Sequence, residues 1–321
     1  MSKIFYPSYP YGKLDPQCEE VLNEISKSPG HPLASLTPMQ ARESFFEKSW
    51  LGKPAENIQI KNHIIENINS SLPIRIYSPK GNQPFPILLF FHGGGFVCGS
   101  LDEFDPFCTY LADGTPCIVV SVDYRLAPEN KYPAAIEDVK IILEWIGKNA
   151  SQFNGDVSRI AVAGDSAGAN LSAAATFFSR ENSFPSLIYQ VLISPWVDLS
   201  STETDSYKQF GDGLWLSAKS IDWYRSHYFE NMEQAKGHFA SPLLAENLKG
   251  LPPALIITAE FDVLRDEGEA YAVRLKDANI NVKLSRYKGM LHDFVVLPGL
   301  FDKAKEAIAE ICASLRTVFY K

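Results

Sequence analysis

Cysteine is scarce in this chain. Its 321 residues hold five, at positions 18, 98, 108, 117 and 312, an odd number without any C-x-x-C pair. That excludes a dense disulfide framework and a zinc-ribbon site, and leaves free thiols packed in a core within a reducing compartment. No His, Asp and Glu grouping has the spacing of a metal set, so no metal is expected. Positive charge is also in deficit. Lys and Arg number 30 against 38 Asp and Glu, a formal charge of -8, and no basic cluster offsets it, which excludes a nucleic-acid partner. Long apolar runs are missing. The most continuous one, Pro86 to Phe91 with its neighbours, is strand-sized and far below the ~20 residues that span a bilayer. The segment from Met1 to Ser8 has one basic residue and no apolar stretch of leader length, so a cytoplasmic protein without membrane insertion is expected. Internal repeats and low-complexity tracts are absent as well.

What is present suits a folded body. Hydrophobic residues make up 45%, aromatics 12% and charged residues 21%, ample for a core and unlike disordered or fibrous chains. Residues 1 to about 50 carry prolines at 7, 10, 16, 29, 32 and 38 between short apolar patches such as Val21 to Ile25, which predicts short helices separated by breaks. From Ile58 the pattern becomes β-branched and alternating. Ile58 to Ile65 and Leu72 to Tyr77 read as an antiparallel pair at a sheet edge.

Strand-sized apolar runs then alternate with helical periods. Strands are expected at Ile87–Phe91, Cys117–Val122, Arg159–Ala163, Leu187–Ile193, Ala254–Thr258 and Val282–Tyr287. Helices are expected from Pro133, as first helical residue, to Ile146, from Ala167 to about Phe178, near Glu267–Leu275, and at the C-terminus, where Ala304, Ile308, Ile311 and Leu315 share a face. This rhythm predicts a doubly wound, mostly parallel α/β sheet flanked by helices. It lapses between about Leu199 and Leu244, where polar residues and scattered aromatics mark an insertion. The resulting division is 1–50 as an appendage, 51–198 as the first part of the core, 199–244 as the insertion and 245–321 as the rest of the core.

Two glycine-rich turns follow predicted strands. Gly164-Asp165-Ser166-Ala167-Gly168 joins a strand to a helix, the setting of a nucleophilic serine on a tight turn whose small neighbours let strand and helix pass closely. His92-Gly93-Gly94-Gly95-Phe96 lets the backbone approach a reacting group with its N–H groups turned inward. A phosphate loop would place Lys and Ser or Thr after the glycines, but Val97 and Cys98 stand there.

An activated serine needs a histidine to take its proton and a carboxylate to hold the histidine's tautomer. His292 is the only histidine downstream of the last candidate acids. Asp262, just past a strand, is favoured as the acid, with Glu260 nearer the strand and Asp266 read as a capping carboxylate at the next helix. His31, His63, His227 and His238 lack any comparable setting and read as surface or packing residues.

With these motifs the chain resembles the hormone-sensitive lipase family of α/β-hydrolases over residues 55 to 321. Asp123 to Glu129, Tyr132-Pro133-Ala134-Ala135 and Asp138 strengthen the likeness. Val263 stands where the family's acid motif has proline, and Ala169 where a third glycine is frequent. The resemblance implies Ser166 as nucleophile, Asp262 as acid, His292 as base, and an oxyanion hole from the Ala167 N–H and two of the N–H groups at Gly93, Gly94 and Gly95. It further implies a cap built from 1–50 and 199–244, a small-molecule ester as partner, no cofactor, and a carboxylesterase of short- to medium-chain esters. A homodimer is admissible. An amidase or a lipase would share every one of these residues, whereas a non-catalytic receptor of the same family would lack His292. The cap aromatics Phe45, Phe46, Trp50, Phe210 and Trp215 are available to line a bounded acyl pocket, although for any single one packing of cap against core is the favoured role.

Overall fold

Strands that lack polar alternation must be covered on both faces. Every residue of Phe85–Phe91, Ile118–Val122 and Ala254–Phe261 is buried, and connecting helices supply the cover. The computed structural model describes residues 4, 6, 11–27, 30–43, 45–66, 71–81, 83–212 and 214–321. Its strands are β1 (Ile58–Glu66), β2 (Ser71–Pro79), β3 (Phe85–Phe91), β4 (Ile118–Val122), β5 (Gly155–Asp165), β6 (Leu187–Ile193), β7 (Ala254–Phe261) and β8 (Val282–Leu291). They form one sheet in the order β1-β2-β4-β3-β5-β6-β7-β8. β2 runs antiparallel to both β1 and β4, and every other pairing is parallel. The expected edge pair is therefore present, with Ile60 and Ile64 exposed on β1.

The helices are α1 (Pro16–Lys27), α2 (Pro38–Glu43), α3 (Leu101–Gly114), α4 (Ala134–Asn149), α5 (Ala167–Asn182), α6 (Asp205–Phe210), α7 (Ala218–Tyr228), α8 (Arg265–Asp277) and α9 (Asp302–Phe319). The face of α9 named from its period is buried throughout. Among the described residues no helix is long and apolar enough to cross a membrane.

Three differences from the sequence reading have physical causes. The first is α3, which was not anticipated because Pro106 stands in it. A helical proline withholds one N–H from the carbonyl four residues earlier. Here that residue is Asp102, which is exposed, while Leu101, Phe104, Phe107 and Leu111 bury the opposite face. Second, Pro133 is the cap rather than the first helical residue of α4. Third, β8 extends to Leu291 because Gly289, at φ +81, is held on both sides. Its N–H donates to Glu260 Oε2 at 2.7 Å and its carbonyl accepts from Asp15 N at 2.9 Å. His292 thus follows its strand directly.

The outer segments meet each other. Trp223 Nε1 of α7 donates to the Leu36 carbonyl at 3.2 Å, and the Trp50 and Trp215 rings lie 5.5 Å apart.

Candidate active site

Ser166 sits between β5 and α5 with φ 54 and ψ -116, a region L-residues avoid. The turn is affordable only because its neighbours are small. A Cβ on Gly168 would run into the Phe91 carbonyl, and one on Gly164 into that of Gly168. Backbone bonds pin the turn to β6, with Ser166 N donating to the Ile193 carbonyl at 2.8 Å.

Asp262 directly follows β7 and His292 directly follows β8, and both are buried. Asp262 Oδ2 lies 2.7 Å from His292 Nδ1, and His292 Nε2 lies 3.0 Å from Ser166 Oγ. A carboxylate accepts only, so Nδ1 carries the proton and Nε2 presents its lone pair to the serine. Asp262 Oδ1 accepts from Leu264 N at 2.9 Å, which holds the carboxylate's orientation. Burial pushes the His292 pKa down, but the carboxylates of Asp262, Asp293 and Asp165 outweigh it and raise it above the ordinary imidazole value.

The other two acids do different work. Asp266 lies in the first turn of α8 without capping it; its Oδ2 accepts from Ser206 N at 2.8 Å, holding the start of α6 in the insertion. Its partner is 60 residues away in sequence, so local position could not reveal it. Glu260 bridges Gly12 N (2.9 Å) and Gly289 N (2.7 Å).

The glycine loop leaves β3 beside the serine turn because β3 and β5 are neighbours. His92 is buried and held neutral, its pKa pushed by burial to about 4. Its Nδ1 donates to the Gly93 carbonyl at 2.7 Å, and its ring stacks on Tyr124 at 4.3 Å. The Gly94 carbonyl accepts from Val97 and Cys98 N–H groups. Gly94 and Gly95 line a cavity with Ser166 and His292. Gly93 instead abuts Asp165, whose Oδ2 is 2.6 Å from where a Cβ would stand. From outside, Arg42 of α2 clamps the loop, donating to the Val97 carbonyl (2.7 Å), the Ala127 carbonyl (2.8 Å) and Glu129.

That chamber is tight, about 20 Å³, and is completed by Phe45, Trp196, Leu216, Ile221, Tyr224 and Asp293. A larger cavity of about 420 Å³ shares Phe45, Leu216, Tyr224 and Asp293 with it and adds Phe46, Trp50 and Trp215. Four of the five expected aromatics therefore reach these cavities. Phe210 does not: it is buried against Phe261 and lies under the Arg265 guanidinium at 5.1 Å. Sequence reasoning missed Trp196, Tyr224 and Asp293; only Asp293, adjacent to His292, carried a local signal.

A parallel sheet with a strained serine turn, a histidine and a carboxylate at three strand ends defines a serine hydrolase of α/β architecture. The family model described as the alpha/beta hydrolase fold matches residues 88–296, and the chain belongs to that family. Among its relatives are esterases. Carboxylesterase NlhH of Mycobacterium tuberculosis is 38% identical over 255 residues, 78% of this chain and 80% of its own. Ethyl acetate hydrolase of Pseudomonas putida is 34% identical over 306 residues, 92% of this chain and 95% of its own. Among solved structures, a thermostable esterase from Pseudomonas putida superposes with a TM-score of 0.92 at 34% identity, covering 97% of this chain and 99% of that one. The hyperthermophilic esterase from the archaeon Pyrobaculum calidifontis gives 0.90 at 35%, covering 95% and 99%. The chain is an enzyme of this esterase group.

Proposed function

We propose that the protein is a carboxylesterase of short- to medium-chain acyl esters that works through an acyl-enzyme. The observation that carries this is the unbroken chain Asp262, His292, Ser166 at 2.7 and 3.0 Å beside backbone at Gly94 and Gly95. Ser166 Oγ attacks the ester carbonyl as His292 Nε2 takes its proton, with Asp262 holding the imidazolium. The oxyanion forms against the N–H groups of Ala167, Gly94 and Gly95, each such donor contributing ~3 kcal/mol to the transition state. His292 then protonates the leaving alcohol, and water repeats the sequence on the acyl-enzyme. The roles assigned to 1–50 and 199–244 as a cap, and the exclusion of Gly93 from the oxyanion donors, are parts of this reading. So is residence in the cytoplasm.

Chain-length preference follows from the two cavities. The chamber at Ser166 holds about one water, so bulk must lie in the aromatic cavity of about 420 Å³. Each methylene placed there stabilises by ~0.8 kcal/mol until the wall is met. The test is kcat/KM across p-nitrophenyl esters from acetate to palmitate, with fluorophosphonate labelling to identify the nucleophile. A peak at short or medium chains and labelling of Ser166 are expected. A rate still rising at palmitate, or a jump above substrate solubility, would make the protein a lipase.

A further inference from the structure

Asp262 is not the only carboxylate at His292. Asp293 Oδ1 lies 3.1 Å from His292 Nε2, on the serine side of the ring. Asp293 reaches this position because its backbone is left-handed, φ 62, a conformation that Asp and Asn tolerate. It lines both the chamber at Ser166 and the aromatic cavity. Behind it stands Asp165, the residue before the nucleophile, wholly buried, with neither oxygen meeting an N–H or hydroxyl donor among the described residues. What Asp165 faces is the carboxyl of Asp293, and Asp293 also takes a hydrogen bond from the Trp215 side chain.

A buried carboxylate without a donor is too costly to persist, and two facing carboxylates cannot both ionise. One proton between them resolves both problems. The better-solvated member with outside partners, Asp293, keeps the charge, and Asp165 keeps the proton. Resting on the reading of His292 as the base, we propose that Asp165 and Asp293 form a proton-sharing pair whose single charge, held on Asp293, sets the basicity of His292 and keeps anionic esters out of the site. Asp293 is a positioning residue in this scheme, acting on the base and on the charge of the incoming ester.

The other groups facing the trio are few. Asp262 approaches from the end of β7. Tyr224 of α7 feels Asp293, and Tyr124 after β4 feels Asp165, both held protonated by burial. Burial first, then the neighbouring carboxylates, raises the Asp165 pKa far above the usual carboxylate range. The sign for activity follows. The base must be neutral to accept the serine proton, and a carboxylate at Nε2 favours the charged imidazole. The acid limb of kcat/KM therefore lies above the ordinary imidazole value of ~6.5.

The experiment measures kcat/KM from pH 4 to 9 for wild type, Asp293→Asn, Asp165→Asn and Ser166→Ala. Two substrates of similar length are used, p-nitrophenyl butyrate and the anionic p-nitrophenyl hemisuccinate. Asp293→Asn should move the acid limb to lower pH by about 1–3 units and lower the plateau, so that its profile crosses that of wild type. It should also narrow the preference for butyrate over hemisuccinate, chiefly through KM. Asp165→Asn should leave the limb in place, because its amide donates to Asp293 as the shared proton did. If Asp293→Asn unfolds, Asp293→Gly accepts the same positive φ and reads the same shift. An unmoved limb in a folded Asp293 variant, or an equal shift in Asp165→Asn, overturns the pair while leaving the esterase standing. Activity retained by Ser166→Ala would instead overturn the esterase reading itself.

Discussion

The turn that holds Ser166 and the roof we propose to cover it are stabilised by opposite means. Around the turn, contact is between backbones: carbonyls of Phe91 and Gly168 approach where glycines have no Cβ, and no larger residue fits. In the roof, contact is between large side chains that come from distant parts of the sequence, such as Trp50 with Trp215 and Tyr11 with Phe210. Backbone packing leaves no room for a Cβ at these glycines and defines one geometry for the chemistry. Side-chain packing tolerates exchange among shapes and suits a surface that selects substrates. Substitutions in the turn should therefore abolish the reaction, and substitutions in the roof should redirect it.

The sharpest test of that contrast is Ser166→Ala. It should lower kcat toward p-nitrophenyl butyrate by on the order of 10⁶-fold with an unchanged melting temperature, since the turn accepts small residues. Melting together with loss of activity would mean that the serine side chain, and not the glycines, holds the turn.

Next in size is a pair of acids on either side of the divide. Asp262→Asn should cost about 10⁴ in kcat by favouring the wrong tautomer. Asp266→Asn should alter kcat far less and act on the insertion, loosening α6 and lowering thermal stability. The reverse order would exchange the two assignments.

Arg42 crosses the divide, a residue of the proposed roof that grips the carbonyls of Val97 and Ala127. Arg42→Ala should lower kcat about tenfold with little change in KM, because displaced oxyanion donors weaken only the transition state. A change confined to KM would return Arg42 wholly to the roof. The smallest effect belongs to Trp215→Ala, which opens the aromatic cavity. It should shift the preferred acyl length upward by a few carbons, with a severalfold change in kcat/KM for octanoate relative to butyrate. An unshifted profile would assign acyl selection to other walls.

The same contrast decides what was legible in the sequence. The serine turn, the glycine loop and the buried strands are local patterns, since a tight turn demands glycine at fixed offsets and a covered strand demands an apolar run. Ser166, Asp262 and His292 could be named because each follows such a strand. Longer-range partnerships left no local trace. Asp266 looked like a cap for its own helix and holds another. Phe210 looked like any other aromatic of the insertion, yet Arg265 and Phe261 draw it away from the cavities. α3 was hidden for the contrary reason, a strong local signal at Pro106 that burial of the opposite face overrides.

Glu260 ties the N-terminal segment at Gly12 to Gly289, three residues before His292, and Asp15 completes the link from the other side. The alignment of His292 thus depends on a strip of chain that contributes nothing to the sheet. Release of that strip, by heat or by a protease cutting ahead of α1, should remove the brace and loosen His292 while the sheet stays folded. Inactivation should then precede melting, with the loss of activity on heating set by the molecule's edge rather than by its core.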